Sequence, residues 1–171
     1  TKSNLSCNTT AWDPASVEWW WYNGTTEMSH GNTTVIQNGT TMLVTTLGAG
    51  NTTKGDIWNC TVRAFDGLTY SSSAAASTTI LNSIPLVQSL LLLPSSPTVS
   101  NNLYSNATLI DDDKDTLTFI WDWHKSGELK FTGSLENISS GQNTMITTLG
   151  KGNLSVYDHW ACIVKAFDNT S

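Results

Sequence analysis

Charge is scarce in this chain. Asp, Glu, Lys and Arg make up 13% of its 171 residues, against about 25% in ordinary soluble domains. The 8 Lys and Arg are scattered and the formal net charge is -6, which argues against nucleic acid and anionic membrane surfaces as partners. Long apolar runs are missing too. The longest, "IPLVQSLLLLP" at 84–94, is interrupted by Gln88 and bounded by prolines, whereas a membrane-spanning helix needs about 20 apolar residues. His30, His124 and His159 have no metal-ligand spacing. There is no Ser/His/Asp arrangement and no Gly-rich phosphate loop, so an enzyme is not expected. The chain opens "TKSNLSC" without a signal-peptide pattern, which leaves a mature chain or a window cut from a longer one.

What fills the polar surface is Thr, Ser and Asn, with 26, 20 and 15 residues. Hydrophobic residues still make 39%, with 8 Trp, enough for packed cores rather than disorder. The motif N-x-[S/T] occurs at Asn4, Asn8, Asn23, Asn32, Asn38, Asn51, Asn59, Asn106, Asn137, Asn153 and Asn169, which is 11 of the 15 asparagines. Chance alone gives roughly 4 in such a composition. The excess reads as a heavily N-glycosylated extracellular protein, whose glycans supply the solubility that charge does not. The plainer alternative is a Thr/Ser/Asn-rich β protein that generates the motif by accident.

The chain also repeats itself. "TTLGAGNTTKGDIWNCTVRAFD" (45–66) aligns without gaps on "TTLGKGNLSVYDHWACIVKAFD" (147–168), with 13 of 22 positions identical at an offset of 102. "NLSCNTTAWD" (4–13) matches "NLYSNATLID" (102–111) at an offset of 98. Two domains follow, 1–83 and 84–171. Both read as all-β, with short strands rich in Thr, Val, Ile and aromatics, cut by Gly, Asn and Asp. In "IWNCTVRAF", Trp58, Cys60, Val62 and Ala64 share one face, and in "HWACIVKAF" Trp160, Cys162, Val164 and Ala166 do the same.

The same logic sorts the tryptophans of "VEWWWYNGT" (17–25). The second copy, "FIWDWHKSG", puts Phe119, Trp121 and Trp123 on one face. By analogy Val17, Trp19 and Trp21 point inward and Glu18, Trp20 and Tyr22 outward. Trp20 then stands as a candidate contact, with a glycan or with a neighbouring subunit.

Cys7 on an early strand, a Trp 12 to 14 residues later, and Cys60 in Asp56-x-Trp58-x-Cys60 resemble the Cys…Trp…Cys frame of an immunoglobulin-like sandwich. Trp58 stands where that family has its tyrosine. The Trp21-x-x-Gly24 hairpin, the Lys54-Gly55-Asp56-x-Trp58 step and the closing Ala64-Phe65-Asp66-Gly67 are similar to the tandem Ig-like or PKD-like repeats of prokaryotic surface and filament proteins. The resemblance covers nearly the whole chain. It implies two tandem Ig-like β-sandwiches acting as stalk, spacer or filament modules. It also implies a disulfide from Cys7 to Cys60 across the two sheets, in keeping with an oxidising, extracellular setting.

In the second copy the place of Cys7 is taken by Ser105. Cys162 is then a buried, inert thiol or the partner in an intermolecular disulfide. Asp111, Asp113 and Asp115 in "DDDKD" resemble the Asp-x-Asp-x-Asp loops that bind Ca²⁺, without the Gly and Glu that complete such a loop. A solvated acidic turn is the alternative.

Residues 67–101 are expected to hold the last strand of the first copy and the first strand of the second. Neither has an equivalent at the other end, so each sandwich keeps an open edge. A longer covalent array, strand donation between subunits and disordered termini on a monomer all fit; the first two imply a head-to-tail object. The leading functional expectation is a structural subunit of a glycosylated extracellular filament, pilus-like fibre or surface coat, whose partner is a further copy of itself. A lectin-like adhesin and a spacer from a secreted polysaccharide-active enzyme are the alternatives.

Overall fold

The computed structural model describes residues 3–168. They form an all-β, sandwich-like fold of antiparallel sheets, with no α-helix among the described residues. The chain divides into two compact units, with the boundary between Asn82 and Ser83.

The first unit holds β1 (Leu5–Ala11), β2 (Ser16–Asn23), β3 (Thr26–Asn32), β4 (Thr40–Leu47), β5 (Ile57–Phe65) and β6 (Ala74–Thr79). One sheet is β1-β4 and the other β3-β2-β5-β6. Alternation decides what lies between them. Cys7, Ala11 and Leu47 come from the first sheet; Val17, Trp21, Trp58, Cys60 and Val62 come from the second. Removing a side chain of the size of Val17 or larger from water is worth about 1.5–3 kcal/mol, so this layer holds the two sheets together.

The second unit holds β7 (Leu86–Leu93), β8 (Leu103–Ile110), β9 (Leu117–Lys125), β10 (Glu128–Ile138), β11 (Asn143–Leu149) and β12 (Trp160–Asp168). Its sheets are β7-β8-β11 and β10-β9-β12. Leu103, Ala107 and Leu109 of β8 are buried, as are Leu117, Phe119 and Trp123 of β9.

Several contacts recur in both units. Trp21 meets Trp58 edge to face at 6.3 Å and 78°, and Trp123 meets Trp160 at 6.5 Å and 78°. The Trp19 indole lies against Gly31, where an added Cβ would come within 2.6 Å of its ring. Trp121 lies over Gly133 in the same way, with a Cβ at 2.4 Å. Only a residue without a side chain lets an indole lie so close to the neighbouring strand. The alternation expected for the three consecutive tryptophans is therefore observed, with Trp21 4% exposed. Trp19 is half-buried against the core rather than enclosed by it.

Candidate functional sites

The Cys7–Cys60 disulfide joins β1 to β5 across the first unit's core. In the second unit Ser105 is fully buried and Cys162 is half-buried. Burial pushes the Cys162 thiol pKa up, against a smaller opposing pull from the Ser105 hydroxyl. The sequence expected Cys162 to be enclosed. It faces the core cluster, but β12 is paired only with β9 among the described residues, so its other flank stays open.

Trp20 points away from the core, as expected, and it is not bare. The Arg63 guanidinium lies 5.3 Å from its ring centroid and 4.0 Å from that of Tyr70. Arg63 also pairs with Glu18 at 2.7 Å, and the Tyr70 hydroxyl donates to the same carboxylate at 3.3 Å. Such stacking holds a cation by its attraction to the ring faces. The cluster was not foreseen, although Glu18 and Arg63 stand directly opposite each other in the β2–β5 register and opposite charges on neighbouring outward positions were the available signal.

The Asn-x-Ser/Thr asparagines fall into two groups. Asn4, Asn8, Asn32, Asn38, Asn51, Asn137 and Asn153 are exposed, while Asn23, Asn59 and Asn106 are half-buried. Asn169 lies outside the described residues. A glycan attaches through the side-chain amide nitrogen, so the environment of that atom matters. Asn4 uses its oxygen, which accepts the Ala49 N–H at 3.0 Å. Asn153 donates its amide to the Gly150 carbonyl at 3.2 Å, and Asn23 is hydrogen-bonded to the Asp56 carboxylate. The Asn59 side-chain oxygen is buried without a partner.

Asp111, Asp113 and Asp115 do converge, each offering a carboxylate oxygen within 4.8 Å of the others. Asp111 is buried, and its Oδ1 accepts the N–H groups of Asp113 at 2.8 Å and Asp115 at 3.2 Å. The Asp113 carboxylate accepts the Ser83 N–H at 2.6 Å. These bonds account for a turn that folds back on itself, with Asp111 Oδ2 the buried oxygen left over. The donor set is hard oxygen, which suits Ca²⁺ by type, but much of it is engaged by the backbone.

His30 pairs with Glu27 at 2.8 Å on the surface, and His159 is exposed. A cavity of about 780 Å³, not foreseen from the sequence, lies in the second unit beside Trp160 and is lined by Leu92, Pro94, Val99, Leu154 and Tyr157. No helix among the described residues is long and apolar enough to cross a membrane. Comparison with known proteins finds no matching family model and no curated relative.

Proposed function

We propose that this chain is a structural subunit of a heavily N-glycosylated extracellular filament, pilus-like fibre or surface coat. In this reading its units are two immunoglobulin-like modules, joined head to tail with further copies by strand donation. The observation that carries the reading is the pairing at the sheet edges. Among the described residues β1 pairs only with β4, and β12 only with β9. The corresponding strands of the other unit, β8 and β5, each have two partners. Unpaired N–H and C=O rows are templates for another strand, supplied by a further copy or by chain outside residues 3–168, and a copy that pairs there makes a heterologous contact that propagates without closing. The seven exposed sequon asparagines, spread over both units, suit a glycan coat. The disulfide is compatible with a secreted or surface protein.

The test is direct. The chain is made in a glycosylating host, weighed intact before and after glycan removal, and imaged by negative stain over a concentration series. Mass in excess of the polypeptide together with fibres is the expected result. Unmodified polypeptide, seen as isolated particles at every concentration, sinks the proposal.

A further inference from the structure

In the second unit β10 and β11 are both end strands, one in each sheet, and each has one neighbour among the described residues. They follow one another in the chain. A groove of about 440 Å³ is lined from both of them, from Trp121 of β9 and from Asn153 in the turn after β11. Its size falls in the range of roughly 300–1,000 Å³ usual for small-ligand sites. Trp121 and Phe131 supply ring surface, and Lys130, Thr132, Thr148 and Asn153 supply polar groups. Trp121 is half-buried and Phe131 is exposed, so ring surface is left facing water. Both rings are held in place. Trp121 lies against Gly133, where an added Cβ would stand 2.4 Å from the indole, and Phe131 stacks on Trp160 at 6.3 Å and 13°.

Asn153 opens the motif Asn153-Leu154-Ser155, whose counterpart in the first unit is Asn51-Thr52-Thr53. Each asparagine ends a short 3-10 turn, and the two turns are entered with the same backbone: Gly48 has φ -67 and ψ 141, Gly150 φ -66 and ψ 142. Both side chains fold back over that glycine. A Cβ added at Gly48 would lie 3.6 Å from Asn51 Nδ2, and one at Gly150 would lie 3.9 Å from Asn153 Nδ2. The Asn153 amide donates to the Gly150 carbonyl at 3.2 Å. That bond uses one of the two amide hydrogens, and a sugar replaces the other. A glycan on Asn153 therefore departs from an anchored nitrogen on a residue that is exposed and itself lines the groove.

We propose that the groove lined by β10 and β11 is the seat of the N-glycan carried by Asn153, with the C–H face of a pyranose near the attachment point packed on the Trp121 and Phe131 rings. Transfer from a glycosyl phosphate donor forms the C1–Nδ2 bond, breaks the donor's C1–O bond and sends the amide proton off with the phosphate. The negative face of an aromatic ring attracts weakly positive C–H groups. The Thr132 and Thr148 hydroxyls line the same groove and match the hydroxyls of a sugar. The Lys130 ammonium gives one of its three hydrogens to Glu128 at 2.8 Å and keeps two for a ligand. The tether identifies the occupant. A sugar attached to a lining residue is presented at roughly millimolar effective concentration, so contacts too weak to hold a free sugar hold this one. The inference rests on the glycosylated part of the function proposed above and states where one glycan lies.

The experiment makes the full chain in a glycosylating host beside two variants, Ser155→Ala, which ends the motif but keeps Asn153, and Asn153→Gln. Occupancy of Asn153 is read by glycopeptide mass, and the oxidation of each Trp by hydroxyl radicals is timed. Trp12, 77% exposed in the first unit, is the reference. With Asn153 occupied, Trp121 is expected to oxidise about threefold or more slowly than in either variant, since a seated ligand shares about 70–90% of its surface with its site. The Trp12 rate should not change. The variants remove the glycan through different atoms, so a folding defect in one, seen as oxidation of the buried Trp123, leaves the other to decide. Equal Trp121 rates in all three chains overturn the inference: if fast, the glycan lies elsewhere, and if slow, another body such as a further copy covers the groove. Glycans on other asparagines with Asn153 bare remove this inference alone. A chain with no glycan at any asparagine removes it together with the glycoprotein reading.

Discussion

The two units carry the same frame and close it differently. The first ties its sheets with Cys7–Cys60 and covers β5 with β6, but leaves β1 with one neighbour among the described residues. The second has Ser105 and Cys162 at the places of the cysteines, covers β8 with β7, and leaves β12 with one neighbour. Burial follows the cover. Leu103 and Ala107 of β8 are buried where Leu5 and Thr9 of β1 are half-buried, and the order reverses for β5 and β12. Common to both units are the edge-to-face tryptophan pair, the indole lying over a glycine, and the Asp carboxylate that takes the indole N–H. Those three contacts are therefore the frame, and the disulfide is a reinforcement that one unit does without.

The sharpest way to break that view is to remove the reinforcement. Replacing Cys7 and Cys60 together by Ala frees a loop of 53 positions, which costs about 4 kcal/mol in chain entropy. The first unit's denaturant midpoint should fall while the second unit's transition stays in place. Loss of both transitions at once would show that the units are not separate cooperative bodies. The converse change is Ser105→Cys. Ser105 and Cys162 hold the sequence positions that correspond to Cys7 and Cys60, on the strands β8 and β12 that correspond to β1 and β5, so a second disulfide should form and stabilise the second unit by about 2–4 kcal/mol. Thiol counting by mass, with and without reductant, reads this out. Two free thiols in Ser105→Cys would mean that the two frames diverge at this point.

Much of the frame was legible beforehand, because alternation reports which face a residue is on. The strand containing Trp58 and Cys60, its counterpart with Trp160 and Cys162, and the inward turn of Trp21 and Trp123 all follow from it. Alternation does not report cover. Cys162 faces inward and is still half-open, because its burial needs a strand on its other flank. The same limit hid the bounds of β6 and β7. "AAASTT" is exposed along its whole length, and an edge strand of that kind has no buried face to impose a pattern. The Arg63 stack on Trp20 and Tyr70 was hidden for a different reason. Its members lie far apart in the chain, and only the pairing of β2 with β5 brings them together.

A smaller effect tests the glycines under the indoles. Gly133→Ala would place a Cβ 2.4 Å from the Trp121 ring, and Gly31→Ala one 2.6 Å from Trp19. Neither distance is tolerable, so each indole must shift or the strands must part. A cost of about 1–3 kcal/mol is expected in each unit, typical of an overfilled site. Equal losses would support a shared frame. A loss in one unit only would show that the indole is essential in that unit and merely accommodated in the other.

The finest comparison is electrostatic. Asp56 and Asp158 hold corresponding turns, and both carboxyl pKa values are held below the ordinary 3.8. The causes differ in order. For Asp56 the leading cause is the Thr53 backbone N–H, followed by the Asn23 amide. For Asp158 it is the Lys125 ammonium at 2.8 Å, with the Ser155 N–H behind it. A depressed folded pKa means that the unfolded chain takes up the proton first. The stabilisation is therefore complete above the unfolded value near 3.8, and it is lost as pH falls through the lower, folded value. Both units should lose stability in that acid window, and Asp→Asn at either position should flatten the acid limb of its own unit alone. Salt separates the two. At about 1 M the screening length falls to roughly 3 Å, which weakens an ion pair with a Lys side chain more than a bond to a fixed backbone N–H. A carboxyl titration followed by NMR should thus move Asp158 back toward its ordinary range in high salt and leave Asp56 nearly where it was. Equal movement of the two would mean that Lys125 contributes no more to its turn than Asn23 does to the corresponding one.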